Sequence, residues 1–228
     1  MSGCSMETWL TKPFETYVTM LQDGDVRRRR QAATALEVRG DRRAVDPLIG
    51  ALRDDNPSVR APVARALGAL GDLRAVDPLC EALDDPLSEV RAEIVRALRR
   101  IGDKRAVEAF IGALRDPEWG IRQMAVAALG DMGDARAIGP LLRAFMEEED
   151  IISRGTIAIA LGALGGPTVQ PLIGALERGD SATRALAALA LVYPDNSRAV
   201  EALHAALTDE DSVVRGFAAW ALEHRDTR

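Results

Sequence analysis

Asp41-Arg-Arg-Ala-Val-Asp-Pro-Leu48 returns 31 residues later as Asp72-Leu-Arg-Ala-Val-Asp-Pro-Leu79. It returns again as Asp103-Lys-Arg-Ala-Val-Glu-Ala-Phe110 and Asp134-Ala-Arg-Ala-Ile-Gly-Pro-Leu141. Looser copies start at Gly166 and Asn196, and a degenerate one ends in Ala35-Leu-Glu-Val-Arg-Gly40. A period of this size marks a repeat array, in which each unit buries its apolar face only against its neighbours. The spacing divides the chain into a capping unit over residues 1–40 and six further units. These span residues 41–71, 72–102, 103–133, 134–165, 166–195 and 196–225, and are expected to form one continuous stack.

Within residues 41–71, Ala44, Val45, Leu48, Ile49 and Leu52 fall at helical spacing and predict a first helix, A. Asp46-Pro47 reads either as an N-cap followed by proline at the first helical position, or as a kink in a helix that starts earlier. A turn cluster follows at Asp54-Asp55-Asn56-Pro57-Ser58. Val59, Val63, Leu67 and Leu70 then predict a second helix, B, and Gly71 stands where a left-handed residue ends it. An arginine recurs beside the first B-stripe position, at Arg29, Arg60, Arg91, Arg122, Arg154, Arg184 and Arg215. Aspartates such as Asp54, Asp84, Asp116 and Asp209 precede it. Since every unit shares this pairing, it reads more simply as a stacking ladder than as an anion site.

Apolar residues make up 47% of the chain, but aromatic ones only 4%, a mix that suits close helix packing better than strands. The net charge of −6 offers no global positive field to nucleic acid or acidic lipid. Cys4 and Cys80 form neither a disulfide framework nor a CxxC pair. With no long apolar run and no leader-like segment, the expectation is a cytoplasmic protein without a membrane span. His204 and His224 are the sole histidines, and Glu223-His224 has nothing to complete a ligand set, so no metal site is expected. His204 shares an apolar column with Ile49, Cys80 and Ile111 and is expected to pack at the end of the stack.

The Asp-x-Arg-Ala-Val-Asp-Pro-Leu motif, a B helix opened by Val-Arg, and the Ala-Leu-Gly-Ala-Leu-Gly ending at residues 66–71 resemble the HEAT-like repeats of the phycobilisome-lyase type. The resemblance covers roughly residues 10–225. It implies an all-α, right-handed α-solenoid of about seven HEAT-like hairpins, with B helices on the concave side. The class includes bilin-lyase subunits, regulatory modules and scaffolds, so the fold alone assigns no chemistry.

If stacking fixes the recurrent positions, function lies in those that vary. Counted from each B-helix arginine, positions −2, +2, +5 and +9 share one face away from the apolar stripe. Towards the N-terminus this face is charged and small, with Arg65, Arg96 and Arg100 as candidate anion contacts. Towards the C-terminus it presents Ile152, Ile159, Leu186, Leu189, Tyr193, Val213, Phe217 and Trp220, with His224 at the rim. An exposed apolar patch of that kind marks an interaction site. The expected role is a non-catalytic scaffold or adaptor holding a protein partner or peptide segment, with no cofactor, no nucleic acid and no membrane. Self-association through the same patch is the other occupant to consider, and burial of these residues by a tightening superhelix or the C-terminal tail is the remaining alternative. The alternative function is a bilin-lyase-type subunit cradling a tetrapyrrole, with Arg96 and Arg100 meeting its propionates. Arg27 to Arg30 read as a solvated helix start, Glu147 to Asp150 as an exposed loop, and Trp119 either as a rim contact or as packing over the adjacent turn.

Overall fold

Each repeat folds as the pair of helices that its two apolar stripes demand. The computed structural model describes residues 12–225. Cys4 and the first eleven residues of the capping unit lie outside that range. Among the described residues there are fourteen α-helices and no strand. The A helices are α1 (Phe14–Met20), α3 (Val45–Ala51), α5 (Val76–Glu81), α7 (Val107–Ala113), α9 (Ile138–Glu147), α11 (Val169–Arg178) and α13 (Ser197–Ala206). The B helices are α2 (Val26–Arg39), α4 (Pro57–Leu70), α6 (Ser88–Ile101), α8 (Trp119–Met132), α10 (Ile151–Ala163), α12 (Ser181–Ala190) and α14 (Ser212–His224). The chain divides between Ala109 and Phe110 into two compact units. In the first, α2, α4 and α6 pack side by side; in the second, α8, α10, α12 and α14 do so, with the A helices behind them. Among the described residues, no helix is long and apolar enough to cross a membrane.

The start of helix A differs from the Asp-Pro cap. Asp41 is the capping residue, its carboxylate accepting from the Arg43 amide at 3.0 Å, and a single 3-10 turn over Arg42–Ala44 leads into α3. Asp72, Asp103 and Asp134 repeat the arrangement. Pro47 is the third residue of α3, inside the first turn, where a missing N–H costs little. These caps also carry charge pairs. Arg74 Nε donates back to Asp72 at 3.1 Å, and its Nη1 reaches Asp46 of the preceding repeat at 2.9 Å. Arg105 does the same between Asp103 and Asp77. The Arg74 side chain and its amide together hold the Asp72 carboxyl at a pKa of about 2.

The B-helix arginines form the expected structural ladder. Arg29 and Arg60 each make a two-pronged pair with an aspartate of the next repeat, Asp54 and Asp85, with the Nε distance 2.6 Å in both cases. Arg184 pairs likewise with Asp209. All three pairs are mostly buried. Each ladder arginine also donates to a main-chain carbonyl of its own A–B turn, as Arg60 does to Asp54 O at 2.8 Å and Arg122 to Asp116 O at 2.9 Å. The aspartate of the third repeat in this role is therefore Asp85, one residue beyond Asp84; it lies six residues before Arg91, as Asp54 lies six before Arg60.

Two kinds of glycine complete the B helices. Gly40, Gly71, Gly102 and Gly133 take φ between 60° and 73° as left-handed caps. Gly68 instead allows close approach: a Cβ there would stand 2.6 Å from the Ala97 Cα, so α4 and α6 touch backbone to backbone.

Candidate functional site

In the second unit the variable face lies along α10, α12 and α14. Each helix buries one face against its neighbours and the A helices, and of positions −2, +2, +5 and +9 the structure leaves most exposed or half-buried. Ile152 is 69% exposed, Val213 55%, Ile159 43% and Trp220 38%. Leu189, Val213, Gly216, Phe217 and Trp220 line a shallow apolar groove of about 390 Å³ between α12 and α14. Trp220 forms one wall. Its ring stacks on His224 with centroids 4.6 Å apart and planes 20° from parallel, and the His224 Nδ1 lies 2.8 Å from the Trp220 carbonyl oxygen. His224 therefore braces the indole at the rim.

Two of the expected residues are placed otherwise. Leu186 is only 7% exposed and belongs to the packing between helices, because Gly155 on α10 leaves room for it to sink, with its Cδ2 3.7 Å from where a Cβ would be. Tyr193, just past α12, is half-buried with its ring edge over Gly162 of α10, where a Cβ would approach to 2.6 Å. The sequence pattern missed Gly216, which opens the groove, and Ile151, which widens the apolar strip and is exposed. Glycine at 216 between Arg215 and Phe217 was the signal available for the first.

The candidate anion contacts sit in the first unit and are largely engaged. Arg65 Nε donates to Glu37 at 3.0 Å, and Arg96 Nη1 to Glu93 at 2.8 Å; Arg100 is exposed. Trp119 is half-exposed and donates from Nε1 to the buried Ser153 Oγ at 2.7 Å, so it is both a rim residue and a clamp on the next repeat. His204 is exposed rather than packed. Its column companions Ile49, Cys80 and Ile111 are themselves only half-buried, so this repeat position is one that a histidine can occupy in water. Burial, acting first, and the nearby Asp77 carboxylate push the Cys80 thiol above its ordinary range. Among the described residues, no three His, Cys, Asp or Glu side chains gather to hold a metal ion.

The family model for HEAT repeats matches residues 15–92, 76–162 and 169–228. The chain belongs to the HEAT-repeat family. Among solved structures it is similar to the complex of CpcE and CpcF of phycocyanin lyase from Nostoc sp. PCC7120. There the identity is 26%, the TM-score 0.60, and the match covers 100% of this chain and 98% of that one. An engineered protein matches at 23% identity and TM-score 0.58, over 93% of this chain and 68% of that one. A designed armadillo repeat protein in complex with the peptide (KR)4 matches at 18% identity and TM-score 0.51, over 93% and 99%. These last two carry the helical-repeat fold alone. No curated protein sequence matches the chain.

Proposed function

We propose that this HEAT-repeat protein is a non-catalytic scaffold or adaptor that holds a segment of a partner protein along the α10, α12 and α14 face of its second unit. The observation that carries the reading is the set of apolar side chains exposed on this face. Ile152, Ile159, Val213 and Trp220 stand exposed on helices whose opposite sides are buried at Ile157, Ala158, Leu161, Val214 and Ala218. Leaving them in water costs about 25 cal/mol per Å² that burial against a partner recovers. The indole of Trp220, already braced by His224, is the anchor type that dominates such interfaces. Trp220→Ser is expected to weaken a partner retained by the wild-type chain roughly 30-fold, equivalent to about 2 kcal/mol, with helix content unchanged. A retained partner indifferent to both Trp220→Ser and Val213→Ser would overturn the proposal.

The likeness to the phycocyanin lyase complex favours a second reading, a lyase-type subunit that cradles a bilin. The groove suits the flat apolar face of a tetrapyrrole, but its own helices do not fit the propionates. The arginines of α10, α12 and α14 are Arg154, Arg184 and Arg215, and all three are engaged with turn carbonyls. Incubation with phycocyanobilin tests this reading; an unchanged visible spectrum removes it.

A further inference from the structure

The partner's chemistry follows from where the charge lies. Residues 1–109 carry 18 Lys and Arg against 18 Asp and Glu, and residues 110–228 carry 11 against 17, so the whole net charge of −6 falls in the unit that bears the apolar strip. The B helices of that unit contain no lysine, and their only arginines are the ladder residues, including Arg122, turned to main-chain carbonyls. Carboxylates border the strip instead. Asp150, Asp180 and Asp211 cap the starts of α10, α12 and α14. Glu223 lies one turn along α14 from Trp220, and Asp195, just past α12, is fully exposed although the Arg225 guanidinium stands 3.8 Å from it.

We infer that the groove takes a cationic amphipathic segment of another protein, with apolar side chains entering between Leu189, Phe217 and Trp220 and Lys or Arg residues on either side meeting the acidic margin. This rests on the proposed reading of the strip as a docking face, and it specifies what docks. Apolar burial supplies affinity, while the opposed charges set orientation and speed encounter. The same margin argues against the other occupants. A second copy would bring another unit of charge −6 against the first, and an anionic lipid surface or a bilin propionate would meet carboxylates and, among the described residues at this margin, an Arg225 already held by Leu191 O and Asp195. At a spacing of roughly 8–10 Å per helix, three B helices span about 20–30 Å, which matches a helical segment of about 15–20 residues.

The test is selection of displayed peptides about 16 residues long, with apolar residues fixed at i, i+4 and i+7 and the flanking positions randomised, on the intact protein. Two variants serve as counter-selections. Trp220→Ser removes the wall, and Gly216→Gln puts a polar side chain into the groove at a position where a Cβ meets nothing within 4 Å. Enrichment of Lys and Arg at the flanks is the expected result. The selected peptides should bind about tenfold more weakly at about 0.5 M than at about 0.05 M salt, and several-fold more weakly to Glu223→Lys. Neutral or acidic flanks enriched on the wild type but not on the two variants would overturn the charge inference and leave the groove standing. Peptides captured equally by all three proteins would sink the docking reading itself. A wild-type dimer in sedimentation that dissociates in Gly216→Gln would replace the proposed occupant with a second copy.

Discussion

Arg60 ties two repeats together with one side chain. Its Nε and Nη2 hold the Asp85 carboxylate of the following repeat at 2.6 and 3.0 Å, while Nη1 donates to Asp54 O in its own turn at 2.8 Å. A planar fork with fixed donors can satisfy both directions together, whereas an ammonium cannot. Arg60→Lys is therefore expected to lose most of the stabilisation, and Arg60→Ala to destabilise by roughly 3 kcal/mol, because it leaves a largely buried Asp85 without its cation. Urea titration measures both, and a lysine variant as stable as the wild type would contradict the two-directional role. The caps set the response to acid. Arg43, Arg74 and Arg105, through their side chains and then their amides, lower the carboxyl pKa values of Asp41, Asp72 and Asp103. A folded-state pKa below the unfolded value of about 3.9 gives stability that is fully present above that value and is lost as pH falls towards about 2. The urea midpoint should thus hold steady down to about pH 5 and fall between about pH 4 and pH 2. Asp72→Asn keeps a capping oxygen but removes one titrating group, so its acid limb should be shallower.

Among the elements, the B helices pack at distances that only small residues permit, and Gly68 is the sharpest case. Alanine gains about 0.5–1 kcal/mol over glycine inside a helix from propensity alone. At Gly68 a Cβ would stand 2.6 Å from the Ala97 Cα, and parting α4 from α6 costs about 1–3 kcal/mol, so the clash wins and Gly68→Ala should destabilise. Gly50 in α3 has nothing within 4 Å of a Cβ, so Gly50→Ala should stabilise by about 0.5–1 kcal/mol. Thermal or urea midpoints moving in the same direction for both would refute the close-approach account. The helices themselves were legible in the sequence because stacking makes every repeat bury the same positions, and the Val59-to-Leu70 stripe with its Gly71 stop lies where α4 and its cap lie. Less legible was what depends on a neighbour rather than on the chain's own period. Asp41, not Asp46, is the capping side chain, and it caps the 3-10 turn that leads into helix A. Leu186 carries the spacing of the outward face but sinks opposite Gly155. His204 keeps the repeat position of Ile49 yet stands in water, since that position is only half-buried even where Ile49, Cys80 and Ile111 occupy it. The direction of the face was readable from the arginine register; the groove within it needed Gly216 and the stacked Trp220–His224 pair, which periodicity does not announce.

For the molecule as a whole, repeat packing makes stability a sum over adjacent hairpins rather than the property of one closed core. Within the second unit, α13 packs on α11 and α14 on α12, so residues 195–225 cover one side of that hairpin. Their removal takes away Ala199, Leu203, Val214, Ala218 and Ala221, all buried, together with the groove wall at Phe217 and Trp220. What stays behind keeps its own nearest-neighbour contacts and the ladder pair of Arg60 with Asp85, but Arg184 loses Asp209. The truncated chain is expected to retain helical circular dichroism per residue. Its melting midpoint should fall by several degrees, and it should bind more of a hydrophobic dye through the newly bared side of α11 and α12. A globular core would behave differently, since losing that much buried surface from a single closed interior would unfold all of it. Collapse of the helical signal on this cut would therefore count against the repeat-by-repeat account. A folded but adhesive remainder would also separate the two roles of the final hairpin, which seals the stack behind it and supplies the indole wall in front.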